Sequence, residues 1–165
     1  MSRVPSLRAG PALLAAALAV PAAAQEPAGA REQVLAVVDS ALAAINRNDP
    51  VALTDLMLEE AIQFRAFVAD GVPRYRARSR AEERAMRYDQ AVVERGFRPE
   101  VRISGTLATV WLPYDLYLGG KWSHCGVDQF TLVRTAAGWR IAAMSWTIEQ
   151  PPACEPHPDG PPEAR

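Results

Sequence analysis

LATVWLPYDLYLGGKWSHCGVDQFTLVRTAAGWRIAAMSWTIE, residues 107–149, reads as one continuous antiparallel ribbon of three strands. Gly119-Gly120 sits between alternating runs and suits a two-residue hairpin, because glycine accepts the positive φ such turns need. Ala136-Ala137-Gly138 marks the second turn. The turns propose a register. Leu118 pairs with Lys121, which sets Tyr117 opposite Trp122, Asp115 opposite His124 and Trp111 opposite Asp128. Thr135 pairs with Gly138, so Leu132 meets Ile141, Phe130 meets Ala143 and Asp128 meets Ser145. Alternation then gathers Trp111, Asp115, Tyr117, Trp122, His124, Asp128, Phe130 and Ser145 on one face. That face is aromatic with polar groups set into it, as a ligand pocket would be. Leu112, Tyr114, Leu116, Cys125, Val127, Met144 and Trp146 fall on the other face, which is also apolar.

Upstream, residues 1–24 have the pattern of a secretory signal. Arg3 and Arg8 give a positive start, residues 12–20 a short apolar run, and Ala22-Ala23-Ala24 a small-residue cleavage site. The run is too short to span a bilayer. A soluble periplasmic or secreted protein without a membrane anchor is expected. Its loss would take the net charge from -1 to -3, because Arg3 and Arg8 leave with it. That balance argues against a nucleic-acid partner. The remaining chain is the length of one domain and can bury a core without staples. Two cysteines in an oxidising compartment leave a Cys125–Cys154 disulfide and two separate thiols both open.

Residues 25–30 are expected to be a flexible start, 31–150 a domain and 151–165 a disordered tail holding six prolines. Val34, Val38, Ala41 and Ile45 recur at helical spacing over 31–47. Asp49-Pro50 opens a short second helix, with aspartate as N-cap and proline at the first helical position. Residues 61–68 and 72–78 predict strands around an Asp70-Gly71 turn. Ser79 and Glu82 form a capping box for a third helix, predicted to end between 87 and 93. A strand follows at 101–103. Helices grouped beside strands indicate an α+β fold, with helices on one face of a curved antiparallel sheet.

This order of elements resembles the nuclear transport factor 2-like superfamily, and within it the SnoaL-like and lumazine-binding branches. The matching residues are Ala108-Thr109-Val110-Trp111 with Pro113-Tyr114, then His124-Cys125-Gly126-Val127-Asp128 with Phe130, then Gly138-Trp139-Arg140-Ile141. The resemblance covers residues 32–149. It implies a cone-shaped cavity between sheet and helices, and frequent dimerisation through the outer side of the sheet. It does not fix a function, because this fold hosts isomerases, cyclases, dehydratases and binding proteins.

Among chemical groups, His124 stands out. With Asp115 about 5 Å away between Cβ atoms, the carboxylate would orient the imidazole as a general base and raise its pKa. The alternative is a pair of polar groups satisfying each other in a half-buried sheet. Pro113 could add a bulge that breaks this register. His124 and Asp128 share a face but lie about 13 Å apart along a strand, so they do not touch. Gly126, between them, either opens a gap for a ligand or marks a bend. Trp111, Tyr117, Trp122, Asp128 and Ser145 are candidate ligand contacts, and core packing is the ordinary alternative for the aromatics. Arg65, Arg74, Arg76, Arg78, Arg80, Arg84 and Arg87 read as a solvated face paired with Glu82, Glu83 and Asp70. Ser123 and His124, adjacent on a strand, are expected on opposite faces. One histidine in the domain and one in the tail offer too few ligands for a histidine-rich metal site. No phosphate loop or dinucleotide fingerprint occurs, and no cofactor is expected.

The leading expectation is a secreted domain binding a small apolar or aromatic molecule. The second is a cofactor-free isomerase, cyclase or dehydratase using His124. The third is a dimeric accessory protein. A homodimer is expected through Leu112, Tyr114, Leu116, Val127, Met144 and Trp146, since a soluble monomer rarely exposes so large an apolar patch.

Overall fold

The computed structural model describes residues 29–163. The predicted signal segment and residues 25–28 lie outside the described residues. Three helices and seven strands follow: α1 Ala30–Asn46, α2 Pro50–Asp55, β1 Met57–Ala69, β2 Val72–Ser79, α3 Arg80–Arg84, β3 Val92–Gly96, β4 Glu100–Ser104, β5 Leu107–Leu118, β6 Lys121–Thr135 and β7 Gly138–Ile148. The strands form one curved, open sheet in the order β2-β1-β7-β6-β5-β3, with β4 also on β5. The β1–β7 pair is parallel and the other pairs are antiparallel. The fold is α+β with the helices on the concave face.

Local chemistry explains the helix boundaries. Asp49 Oδ1 accepts from Ala52 N at 2.9 Å, and Pro50 occupies the first turn. Ser79 and Glu82 cap α3 reciprocally, with Ser79 N donating to Glu82 Oε2 at 2.7 Å. α3 nevertheless stops at Arg84 rather than at 87–93. The β-branched pair Val92-Val93 instead enters strand β3 and pairs with Leu118 and Tyr117. Val34, Val38 and Ala41 of α1 and Leu53 of α2 pack on Ala108, Val110, Leu112, Phe130, Leu132 and Ile141 of the sheet. All of these are buried.

Both hairpin turns fall where the glycines predict, with Leu118↔Lys121 and Thr135↔Gly138. Two bulges then change the register. Tyr117 pairs with Trp122, but Leu116 pairs with His124, so Ser123 is an extra residue. Asp115 consequently lies opposite Cys125, and Trp111 opposite Gln129. A second shift between Thr131 and Leu132 sets Phe130 opposite Met144 and Asp128 opposite Trp146. The expected pairs Asp115–His124, Trp111–Asp128, Phe130–Ala143 and Asp128–Ser145 are therefore not formed. One extra residue flips every later side chain to the other face. Leu112, Tyr114, Leu116 and Met144, expected on an outer dimer face, are buried on the concave side instead.

The proline-rich end also departs from expectation. Residues 151–163 are largely exposed and without regular structure, as a tail would be, but Cys154 and His157 fasten them to the sheet. Cys154 is joined to Cys125 by a disulfide, with Cα atoms 5.8 Å apart. His157 N donates to Asp115 Oδ2 at 3.1 Å, and its ring stands edge-on to Phe97 at 5.3 Å.

Candidate functional site

Between the helices and the concave face lies a cavity of about 480 Å³. That volume falls in the range of about 300–1,000 Å³ usual for small-molecule sites. Its apolar lining includes Ile45, Leu53, Leu116, Met144, Trp146 and Ile148. Its polar lining includes Gln63, Arg65, Glu94, His124 and Asp128. These polar groups come from three strands, β1, β3 and β6, so the curvature of the sheet aims them at one space.

Two of them form an unusual pair. Asp128 is 1% exposed and Glu94 8%. Glu94 Oε1 and Asp128 Oδ2 receive no hydrogen bond from any donor. The two carboxyl groups nevertheless lie within hydrogen-bonding reach of each other. Two carboxylates are both acceptors, so that contact becomes a hydrogen bond only when one carries a proton. Burial pushes Glu94 up to about 7. Burial, then the charge of Glu94 and the bond to it, raise Asp128 well above its ordinary value. Like charges brought together out of water cannot both ionise, so the pair retains a shared proton near neutrality. Asn46 fixes the Glu94 backbone. It donates to Glu94 O at 2.9 Å and accepts from Glu94 N at 2.6 Å.

His124 lies on the same rung as Glu94, with Leu116 between them. Two strand spacings put their Cα atoms about 10 Å apart. The extra residue in β6 turns Ser123 back toward the ring, so Ser123 Oγ is 2.9 Å from His124 Nδ1. The expected separation of these neighbours on opposite faces is thus undone by the bulge. Tyr114 stands edge-on to the imidazole at 5.8 Å. Burial, then the Arg65 charge, lowers the His124 pKa. That is the opposite of the rise expected from an Asp115 partner. His124 is therefore a neutral imidazole at neutral pH, held by Ser123, with its ring in the cavity wall.

Asp115 belongs elsewhere. It is fully buried on the outer side, where Arg95 donates to it from Nε at 2.9 Å and Nη2 at 2.5 Å. Tyr117 sits beside it under the Arg95 guanidinium and edge-on to Trp122 at 5.5 Å. Trp122 Nε1 donates to Gln150 Oε1 at 3.1 Å. Trp111 is 50% exposed on the outer face. Ser145 pairs with Gln129 between Met144 and Trp146, which line the cavity, so alternation turns it outward. Of the predicted site residues, His124 and Asp128 line the cavity; Asp115, Trp111, Tyr117, Trp122 and Ser145 do not. Gly126 opens no gap for a ligand, because a Cβ there would meet Thr147 O at 2.4 Å.

Sequence reasoning missed Glu94, Gln63 and Arg65 as cavity residues. Arg65 was grouped with a solvated face, yet Gln63 and Arg65 alternate on β1 opposite Met144 and Trp146. Arg78 does pair with Glu83, but Glu83 is buried and also accepts from Tyr88 Oη at 2.7 Å. Arg80 and Arg84 pair with Glu59 and Asp55 at 2.7 Å each, rather than with Glu82 or Asp70.

Comparison with known proteins places the fold. No protein-family profile and no curated protein match the chain. Solved structures do. A nuclear transport factor 2-like protein with a cystatin-like fold from Novosphingobium aromaticivorans is 18% identical, with a TM-score of 0.58 over 72% of this chain and 80% of that one. A nuclear transport factor 2-like protein from Cytophaga hutchinsonii is 17% identical, with a TM-score of 0.59 over 72% and 97%. A candidate dehydratase of the same family from Streptomyces avermitilis is 16% identical, with a TM-score of 0.57 over 74% and 98%. The chain has the nuclear transport factor 2-like fold. At these identities the likeness shows the fold alone.

Proposed function

We propose that this protein is a cofactor-free acid–base enzyme acting on a small molecule held in the cavity. The observation that carries the reading is the convergence of a neutral imidazole and a proton-sharing carboxyl pair on one cavity. An aromatic pocket without such groups would have favoured simple binding. A filled pocket would have favoured the accessory protein. In the reaction, His124 takes a proton from a carbon next to a carbonyl group. The C–H electron pair becomes the C=C bond of an enol, and the carbonyl oxygen takes the proton of the Glu94–Asp128 pair. The His124 imidazolium then gives its proton either to another carbon of a conjugated enol, completing an isomerisation, or to a β-hydroxyl, which leaves as water as the enol electrons form the new C=C bond. In both cases the carbonyl re-forms and the enol O–H proton returns to the Glu94–Asp128 pair. A base that stays neutral and an acid that stays protonated at the same pH are what this step requires.

The test uses small ketones and β-hydroxy ketones, neutral and carboxylated, in deuterium oxide. Mass spectrometry should show deuterium at carbon with the wild type, and a loss of about 10²–10⁴-fold in rate with His124→Gln or Asp128→Asn. Incorporation no faster than in those variants would leave binding as the function.

Secretion through residues 1–24 and action in the periplasm or outside the cell remain part of the proposal, and the Cys125–Cys154 bridge suits such a compartment. A homodimer is proposed through the outer face. Its contact shifts to the side that the C-terminal segment leaves open, around Leu107 and Trp111, which are 48% and 50% exposed.

A further inference from the structure

The charges around the cavity sort unevenly. Arg78 is engaged by buried Glu83. Arg87 donates to the carbonyls of Ala85 and Met86 at 3.3 and 2.7 Å. Arg65 has no carboxylate within ion-pair range among the described residues, although it lines the same cavity. Its Nε is buried and makes no hydrogen bond. An arginine is always charged, and a buried donor left unmade is costly, more so when the group is charged. The guanidinium lies over the Phe67 ring at 5.0 Å, which favours this orientation. Among the described residues Arg65 and Arg87 thus both line the cavity without a carboxylate in ion-pair range, but Arg87 spends donors on backbone carbonyls, whereas Arg65 keeps a buried donor unmade.

The rest of the floor limits what that cation meets. Arg65 is opposite Trp146, and Trp146 is opposite Asp128, so one rung runs from guanidinium through indole to carboxyl pair. Its ends are about 10 Å apart at Cα. Trp146, Met144 and Ile148 make the middle of the floor apolar.

We propose that the ligand is a small monocarboxylate, with its carboxylate on Arg65, an apolar ring-sized body over Trp146 and an uncharged oxygen at the Glu94–Asp128 pair. This rests on the acid–base reading for the role of the far end only. A planar guanidinium presents paired N–H donors that match a carboxylate. One negative charge balances Arg65 within the cavity. A phosphate dianion on Arg65 would bring a second negative charge that this guanidinium does not balance. A neutral ligand would leave Arg65 unpaired.

The probes are 6-hydroxy-2-naphthoate, the neutral 6-hydroxy-2-naphthamide and 2-naphthyl phosphate, titrated calorimetrically into the folded protein. The naphthoate should bind roughly tenfold to a hundredfold more tightly than the amide, the size of a charge-assisted hydrogen bond. It should also bind more tightly than the phosphate. Arg65→Gln should bring naphthoate and amide within about twofold, which is a small fraction of one charge-assisted bond, and Glu94→Gln should keep the preference for the carboxylate. A thermal melt checks that each variant is folded. Arg65→Lys supplies a second variant, which should keep part of the preference. Equal binding of naphthoate and amide, a preference that survives Arg65→Gln, stronger binding of the phosphate, or no binding of any probe would each overturn the inference. The two readings fail separately. Carboxylate preference through Arg65 with no deuterium exchange at carbon would leave this inference standing without the enzyme. Exchange on neutral ketones with no advantage for carboxylated ones would do the reverse.

Discussion

His124 shows how one residue's surroundings set its chemistry. Burial and the Arg65 charge hold its pKa down. A histidine that resists protonation when folded favours the folded state less as the unfolded chain begins to take up protons. The sign is that stability falls as pH drops below the unfolded value of about 6.5, toward the lowered folded value. Proton NMR of the ring should give a titration below 6.5, and Arg65→Gln should move it upward. A titration above 6.5, or no movement in the variant, would mean that the ring does not sit in the environment described. Gly126 makes a second case. Its Cβ position is occupied by the Thr147 carbonyl, so Gly126→Ala must shift backbone and should lower stability by about 1–3 kcal/mol, measured by urea unfolding.

At the scale of elements, the sheet edge is fastened by groups far apart in sequence. Arg95 of β3 makes a two-pronged bond to Asp115 of β5, and Asp115 is fully buried. Arg95→Ala would leave that carboxylate without its cation and should cost about 3–5 kcal/mol, read from the denaturant midpoint. A loss under about 1 kcal/mol, typical of exposed pairs, would show that the carboxylate is solvated. The C-terminal segment is tied down by Cys125–Cys154, separated by 29 residues. Loss of that link in Cys154→Ser should lower stability by about 2–4 kcal/mol. Chain reading found the turns, caps and strands here because each has a local cause in glycine φ, a hydroxyl cap or alternation. It did not find the bulge at Ser123, since two residues past a tight turn nothing local reports an extra residue. The clearer cue was the burial set of β5 itself. Ala108, Val110, Leu112, Tyr114 and Leu116 are continuously apolar, whereas Trp111 and Asp115 share the opposite face with Thr109. Following each strand's own alternation would have put Asp115 outside. Glu94 was lost because residues 87–93 were read as the end of a helix, despite Val92-Val93. The C-terminal segment was lost because its order comes from a disulfide and from Asp115, which composition does not report.

For the molecule as a whole, the curved sheet separates a concave working side from an outer side divided in two. The C-terminal segment occupies one part of the outer side. Leu107 and Trp111 remain on the other. Sedimentation of the wild type at micromolar concentration should give a dimer, and Trp111→Glu a monomer with unchanged melting temperature. A wild-type monomer would remove the dimer from the account. The cavity side depends on proton sharing, and this too has a whole-molecule consequence. Glu94 is raised from 4.5 to about 7. A carboxyl group raised on folding contributes stability that is fully present below its unfolded value and is lost as pH rises through its folded value. The Glu94 contribution should therefore decline between pH 4.5 and 7, against the opposite trend from His124, and the difference in stability between wild type and Glu94→Gln should show it.

The most direct measurement is a carbon-13 NMR titration of the side-chain carboxyls, with Glu94 and Asp128 assigned by Glu94→Gln and Asp128→Asn. The account predicts a Glu94 titration near 7 and an Asp128 resonance that still reports a protonated carboxyl at neutral pH. Two carboxylates fully ionised by pH 6, each titrating near 4, would contradict it.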